Sequence, residues 1–286
     1  MGQFASSCRA LDVGVTFFDT ADMDGRGQSE EQLGQVLGER HKDVIIASKF
    51  GMGMNDSGTL SGASRNYIVN AVEASLKRLR TDYIDLYQLN RPDPLTPIEE
   101  TMRALDDLIT AGKVRYIGCS NLPAWQVVDA TGIAANSGFH QFLCCQEEYS
   151  LLVRDIEREL FPAMKKYQLS LLPYRPIAGR FLTGKYKRNE PLPEGARLAS
   201  NSQKRFADRF LTQKNWDRLK RLEAYGKERG RSLLDIVFGW LASKPFIPSV
   251  IAGASTPEQV DLNCKAVTCG LTADEVAHVE SFFAGA

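Results

Sequence analysis

Short, nearly continuous apolar runs alternate along this chain with longer segments of helical period. The runs are Thr16–Thr20, Val44–Phe50, Tyr83–Leu89, Val114–Ser120, Phe142–Tyr149, Leu169–Tyr174 and Ser249–Ala254. Runs without polar alternation suit strands buried on both faces, and hence a parallel sheet. Between them, Arg65–Leu79, Pro97–Ala111, Asn215–Arg229 and Leu233–Ser243 carry helical spacing. In the second, Glu99 and Glu100 suit a helix start and Gly112 a stop. Such alternation predicts an α/β fold, either an open doubly wound sheet or a closed (β/α)8 barrel.

An open dinucleotide-type sheet should carry G-x-G-x-x-G after its first strand. Gly25-Arg26-Gly27 is followed by Glu30, and Gly51-Met52-Gly53 by Asp56, so neither supplies the third glycine. Polar residues instead close six runs in order: Asp19, Lys49, Asn90, Ser120 with Asn121, Gln146 and Tyr174. Strand C-termini are where a (β/α)8 TIM barrel builds its mouth. We therefore expect one (β/α)8 barrel domain over residues 1–286. Seven runs are present, not eight. The fifteen residues before Thr16 read as a helix end at Cys8–Leu11 and a turn at Gly14, so the barrel's first strand is expected to be missing.

Composition narrows the partners. Lys plus Arg and Asp plus Glu are 35 each, which argues against a nucleic-acid-binding chain and against a basic membrane-surface protein. No run approaches the roughly 18 apolar residues of a membrane helix. The start, MGQFASSCRALD, lacks a basic stretch followed by an apolar one, so no secretory signal is expected. Six cysteines without a C-x-x-C pair read as reduced core thiols, consistent with a cytoplasmic location. Three scattered histidines predict no metal site.

Several segments carry a resemblance. They are Gly14–Asp22 (GVTFFDTAD), Gly25–Glu31 (GRGQSEE), Ala47–Gly51 (ASKFG), Gln88–Pro94 (QLNRPDP), Ile117–Asn121 (IGCSN), Phe181–Tyr186 (FLTGKY) and Gly253–Gln259 (GASTPEQ). In order and spacing the chain resembles the aldo-keto reductase superfamily, with the flavour of bacterial members related to the potassium-channel β-subunit branch. The resemblance implies a (β/α)8 barrel that binds NADP(H) and moves hydride between nicotinamide and a small carbonyl compound. Carbonyl oxygen gains negative charge as hydride arrives, so the family supplies a proton donor and charged neighbours there.

The family's Asp matches Asp19 and its Lys matches Lys49. Its Tyr position is occupied by Asp24 and its usual His position by Asn90. Asn there resembles the β-subunit branch. Asp for Tyr implies impaired or altered activity, with Asp24 and Lys49 expected to form an ion pair. By the same resemblance, Ser120, Asn121 and Gln146 would hold the nicotinamide carboxamide and Tyr174 would stack on its ring. Pro176, Ile177 and Ala178 through Lys185 would clasp pyrophosphate, and Arg197 the adenine end. Gly253, Ser255, Gln259 and Asn263 would take the adenylate. Arg180 stands where relatives usually have Gly; it would add a phosphate contact or block the clasp. Three functions follow: an NADP(H)-dependent carbonyl reductase, a nucleotide-binding regulatory subunit, or a non-redox, lyase-like enzyme using Asp24 as base.

Overall fold

The computed structural model describes residues 2–200 and 204–284. Its one named sheet has six parallel strands in chain order: β1 (Phe17–Asp19), β2 (Ile45–Phe50), β3 (Ile84–Leu89), β4 (Val114–Ser120), β5 (Cys144–Glu148) and β6 (Ser170–Tyr174). Sequential parallel order with helical crossovers is the progression of a (β/α)8 barrel, present here in part. All six residues of β3 are buried, as the uninterrupted apolar run requires. The run Ser249–Ala254, expected as a seventh strand, is reduced to a single parallel bridge between Ile251 and Tyr174. A strand exists only through its ladder, and Pro248 withholds an N–H at the entry to this one.

The helices are α1 (Gly2–Asp12), α2 (Gln28–Leu37), α3 (Arg65–Leu79), α4 (Ile98–Thr110), α5 (Ala124–Ser137), α6 (Leu160–Tyr167), α7 (Lys204–Phe210), α8 (Gln213–Arg229), α9 (Leu233–Ala242), α10 (Pro257–Val267) and α11 (Ala273–Ser281). The expected helix end at Cys8–Leu11 belongs to the 11-residue α1, and Gly14 (φ 82°) turns the chain into β1. Helix α3 begins where the Ser64 hydroxyl accepts the Tyr67 N–H, and it stops where Arg80 turns left-handed.

The described chain divides into two compact units: residues 1–147, 156–172 and 254–257, and residues 148–155, 173–253 and 258–286. In the first, Ile46, Ile68, Val72, Ile84, Met102 and Leu105 form the layer between sheet and helices, all fully buried. Phe50 belongs to this core, stacked on Tyr87 at 4.8 Å, and Phe18 is buried too, whereas Trp125 is 65% exposed. In the second, Trp240 stacks on Tyr149 at 5.2 Å and Phe181 meets Trp216 edge-on at 4.8 Å. All six cysteines are free; Cys119, Cys144 and Cys145 are buried, while Cys8, Cys264 and Cys269 are only half-buried. No helix among the described residues is long and apolar enough to cross a membrane.

Candidate active site

Parallel register sets the first cluster. Lys49 lies beside Gln88, and Ser120 beside Gln146. Asp19, at the end of β1, accepts from Lys49 Nζ at 2.5 Å on one carboxylate oxygen. Its other oxygen accepts from the Gln146 amide at 2.8 Å and the Gln88 amide at 3.4 Å. Lys49 and Asp19 side chains are only 9% and 11% exposed, so their attraction is little screened. Both charges are also hydrogen-bonded, which a buried pair requires.

A second cluster adjoins it along β4 and β5. The Ser120 hydroxyl donates to the Gln146 carbonyl at 2.7 Å. The Asn121 amide donates to Ser120 Oγ at 2.9 Å and to the Asn90 carbonyl at 3.0 Å. Asn121 can do this because its backbone is left-handed (φ 60°), a conformation Asn tolerates better than most residues. Asn90 is fixed from the other side by its own N–H on the Phe50 carbonyl at 2.9 Å. Asp19, Lys49, Asn90, Ser120, Asn121 and Gln146 are thus brought together within the first unit.

Asp24 occupies the turn between β1 and α2, its N–H on the Ala21 carbonyl at 3.2 Å. The expected Asp24–Lys49 ion pair is absent among the described residues; Lys49 is held by Asp19 instead. Although Asp24 as a whole is exposed, packing around the carboxyl raises its pKa, and Asp19 and Glu30 add to this against the opposing pull of Lys49. Ser255 lies in an exposed loop of the first unit.

The remaining expected residues fall in the second unit. Tyr174 ends β6 half-buried, its carbonyl accepting from the Tyr149 N–H at 3.4 Å. Pro176 and Ala178 are buried and Ile177 half-buried. Ala178, Gly179 and Arg180 are left-handed in succession (φ 46°, 64° and 73°), and the Tyr186 hydroxyl donates to the Gly179 carbonyl at 2.9 Å. Arg180 therefore sits where Gly would be relaxed. Its guanidinium donates to Gln259 Oε1 at 2.8 Å, tying the loop to α10. Asn263 follows Gln259 by one helical turn on α10. Lys185 is exposed, Arg197 opens a short 3-10 turn, and Gly253 is in an exposed loop.

Three buried carboxyls were not legible as site neighbours. Glu30 accepts from Ser48 and Arg78. Asp22 accepts from the Tyr67 hydroxyl at 3.2 Å, and burial pushes its pKa up to about 7. Glu147, next to Gln146, is pushed up to about 8 by burial, and accepts the Asn121 and Leu122 backbone N–H groups that shape the turn after β4. The polar stretch Gln146–Glu148 inside the run Phe142–Tyr149 was the available signal for Glu147; nothing local distinguished Glu30 or Asp22.

Residues 6–284 match the Aldo/keto reductase family. The chain belongs to the aldo/keto reductase family. This reductase-family chain is 37% identical over 268 residues to a rice protein called "Probable voltage-gated potassium channel subunit beta", covering 91% of this chain and 80% of that protein. It is 36% identical over 255 residues to the Aldo-keto reductase YhdN of Bacillus subtilis, covering 88% and 74%. It is 31% identical over 295 residues to the Versiconal hemiacetal acetate reductase of Aspergillus parasiticus, covering 95% and 83%. Relatives of this kind support an oxidoreductase that uses a nicotinamide cofactor on small carbonyl compounds. The residues present fit such a cofactor. Ser120, Asn121 and Gln146 are neutral donors and acceptors within about one hydrogen bond of each other, the chemistry a carboxamide needs. In the second unit, Arg180 and Lys185 supply cations suited to phosphate.

Proposed function

We propose that this chain is an NADP(H)-dependent carbonyl reductase, one barrel domain in which Asp24 serves as a slow proton donor. The reading rests on the Asp19–Lys49–Gln146 cluster, an intact charged centre beside a substituted acid position. Hydride delivered to the carbonyl carbon is the chemistry that bound NADPH supplies. The carbonyl oxygen then gains an electron pair and must take a proton. Lys49 presents its charge to that oxygen while Asp19 holds the ammonium in place. Asp24, with its pKa raised by packing, keeps a protonated fraction that a free aspartate lacks at the same pH. Within the first unit, Ser120, Asn121 and Gln146 orient the nicotinamide through its carboxamide.

Proton donation from Asp24 has a signed pH dependence. The rate of NADPH oxidation by an aromatic aldehyde should fall as pH rises through the Asp24 pKa, and Asp24→Asn should remove that limb. Rates independent of pH in both forms would exclude Asp24 as the donor. The similarity to proteins named as potassium-channel β subunits supports a second reading, a nucleotide-binding regulatory subunit. Recovery of a stable stoichiometric partner, with NADPH binding but no turnover, would favour it.

A further inference from the structure

We propose that Glu30 is a positioning residue for the Asp19–Lys49 pair, acting with Ser29 as a clamp on the helix side of the sheet. Side chains alternate along a strand, so where Asp19 and Lys49 face one side their neighbours Thr20 and Ser48 face the other. Both neighbours are caught by the first turn of α2. The Thr20 hydroxyl donates to Ser29 Oγ at 2.8 Å, and the Ser48 hydroxyl donates to Glu30 Oε1 at 2.5 Å. Glu30 is fully buried, and its second oxygen accepts from Arg78 Nε of α3 at 2.6 Å. Arg78 is steadied in turn by Ser75 Oγ at 3.2 Å. A Cβ on Gly27, just before α2, would come within 2.7 Å of Arg78 Cδ, so the turn and the arginine are in close contact.

Every oxygen of Glu30 is therefore committed, one to the strand that carries Lys49 and one to a helix. Thr20 remains on the sheet ladder, its N–H on the Ala47 carbonyl at 2.9 Å, so the clamp reaches both strands of the charged pair. A buried ion pair adds little stability over apolar packing, but it has directional partners that apolar side chains lack. Small displacements of a reacting group are costly for catalysis. The catalytic consequence rests on the reductase reading; the clamp itself does not.

The test is the rate of Lys49 acylation by acetic anhydride against pH, read by mass spectrometry, with exposed Lys42 as internal reference. Around Lys49 the charged and titratable groups are Asp19, Asp24 and the Cys144 thiol. Glu30→Gln removes the charge, and Ser48→Ala cuts the clamp while leaving the Glu30–Arg78 pair in place. Ser48→Ala is expected to speed Lys49 labelling about three- to tenfold at about pH 8, with the unfolding midpoint little changed. Lys49 labelling within about twofold of the parent in both variants would overturn the clamp. Steady-state NADPH oxidation separates the two claims. A fall in kcat with unchanged KM for NADPH supports both. Altered labelling with no oxidation by any form, the parent included, sustains the clamp and overturns the reductase reading.

Discussion

Asp24→Tyr is expected to raise the single-turnover rate of NADPH oxidation by a reactive aromatic aldehyde by about 10²–10⁴-fold, the typical worth of a positioned proton donor. That corresponds to roughly 3–5.5 kcal/mol of barrier. The site is ready for such a donor. Lys49 is already ordered on Asp19 at 2.5 Å, and its charge would favour the phenolate left after proton transfer. The turn also tolerates the change, since Asp24 is absent from the residues with positive φ and a tyrosine there meets no left-handed strain. With enzyme in excess over NADPH, the 340 nm trace of the Tyr form should decay while that of the parent lags far behind. Equal rates in both forms would show that position 24 is not the acid position. A flat trace from both would shift support to the regulatory or the non-redox reading.

Folding stability should decline as pH rises from about 4 to about 7. Asp22 is 1% exposed, and burial, with Glu30 nearby, holds its folded pKa at about 7 against opposing contributions from Tyr67 and Arg78. In the unfolded chain the same carboxyl titrates near 3.8. Between those two values the folded state holds the proton and the unfolded state has released it. Stability therefore falls with rising pH across that window, and the loss is complete above it. Glu147, pushed up to about 8, acts in the same direction to slightly higher pH. Lowered carboxyls such as Asp93 and Glu280 act in the opposite sense, but only at pH values below their ordinary range.

Asp22→Asn should isolate the first contribution. An amide keeps an acceptor for the Tyr67 hydroxyl. Relative to the parent, the variant should gain on the order of 2–3 kcal/mol on going from about pH 5 to about pH 8, measured by denaturant unfolding. A difference that does not change with pH would mean that Asp22 is ionised in the folded protein throughout this range.

Elements whose signals are local were readable from the chain. Helix α3 spans the expected Arg65–Leu79, because a helical face is formed by residues within a few positions of each other. Strands β1 to β6 were readable because burial on both faces leaves an uninterrupted apolar run. The run at Ser249–Ala254 has the same composition but only one bridge, since a strand is completed by partners that its own residues do not specify. The polar residues at strand ends and the family resemblance marked Asp19, Lys49, Asn90, Ser120, Asn121 and Gln146 as neighbours. Parallel register then accounts for their meeting.

Partner choice among charges was decided elsewhere. Lys49 pairs with Asp19 because it lies on β2 two residues beyond Ala47, the register partner of Asp19, on the same side of the sheet, whereas Asp24 belongs to a turn with different surroundings. Whether a carboxyl is solvated or enclosed depends on which helix covers it, and this separates Asp22, Glu30 and Glu147 from the many surface acids of the same chain. The amino-acid sequence by itself determined the strand–helix order, the family and the identity of the polar residues at the strand ends. Only the tertiary structure decided which charges touch, which are desolvated and which way they titrate, because those properties depend on distance and burial between segments far apart in the chain.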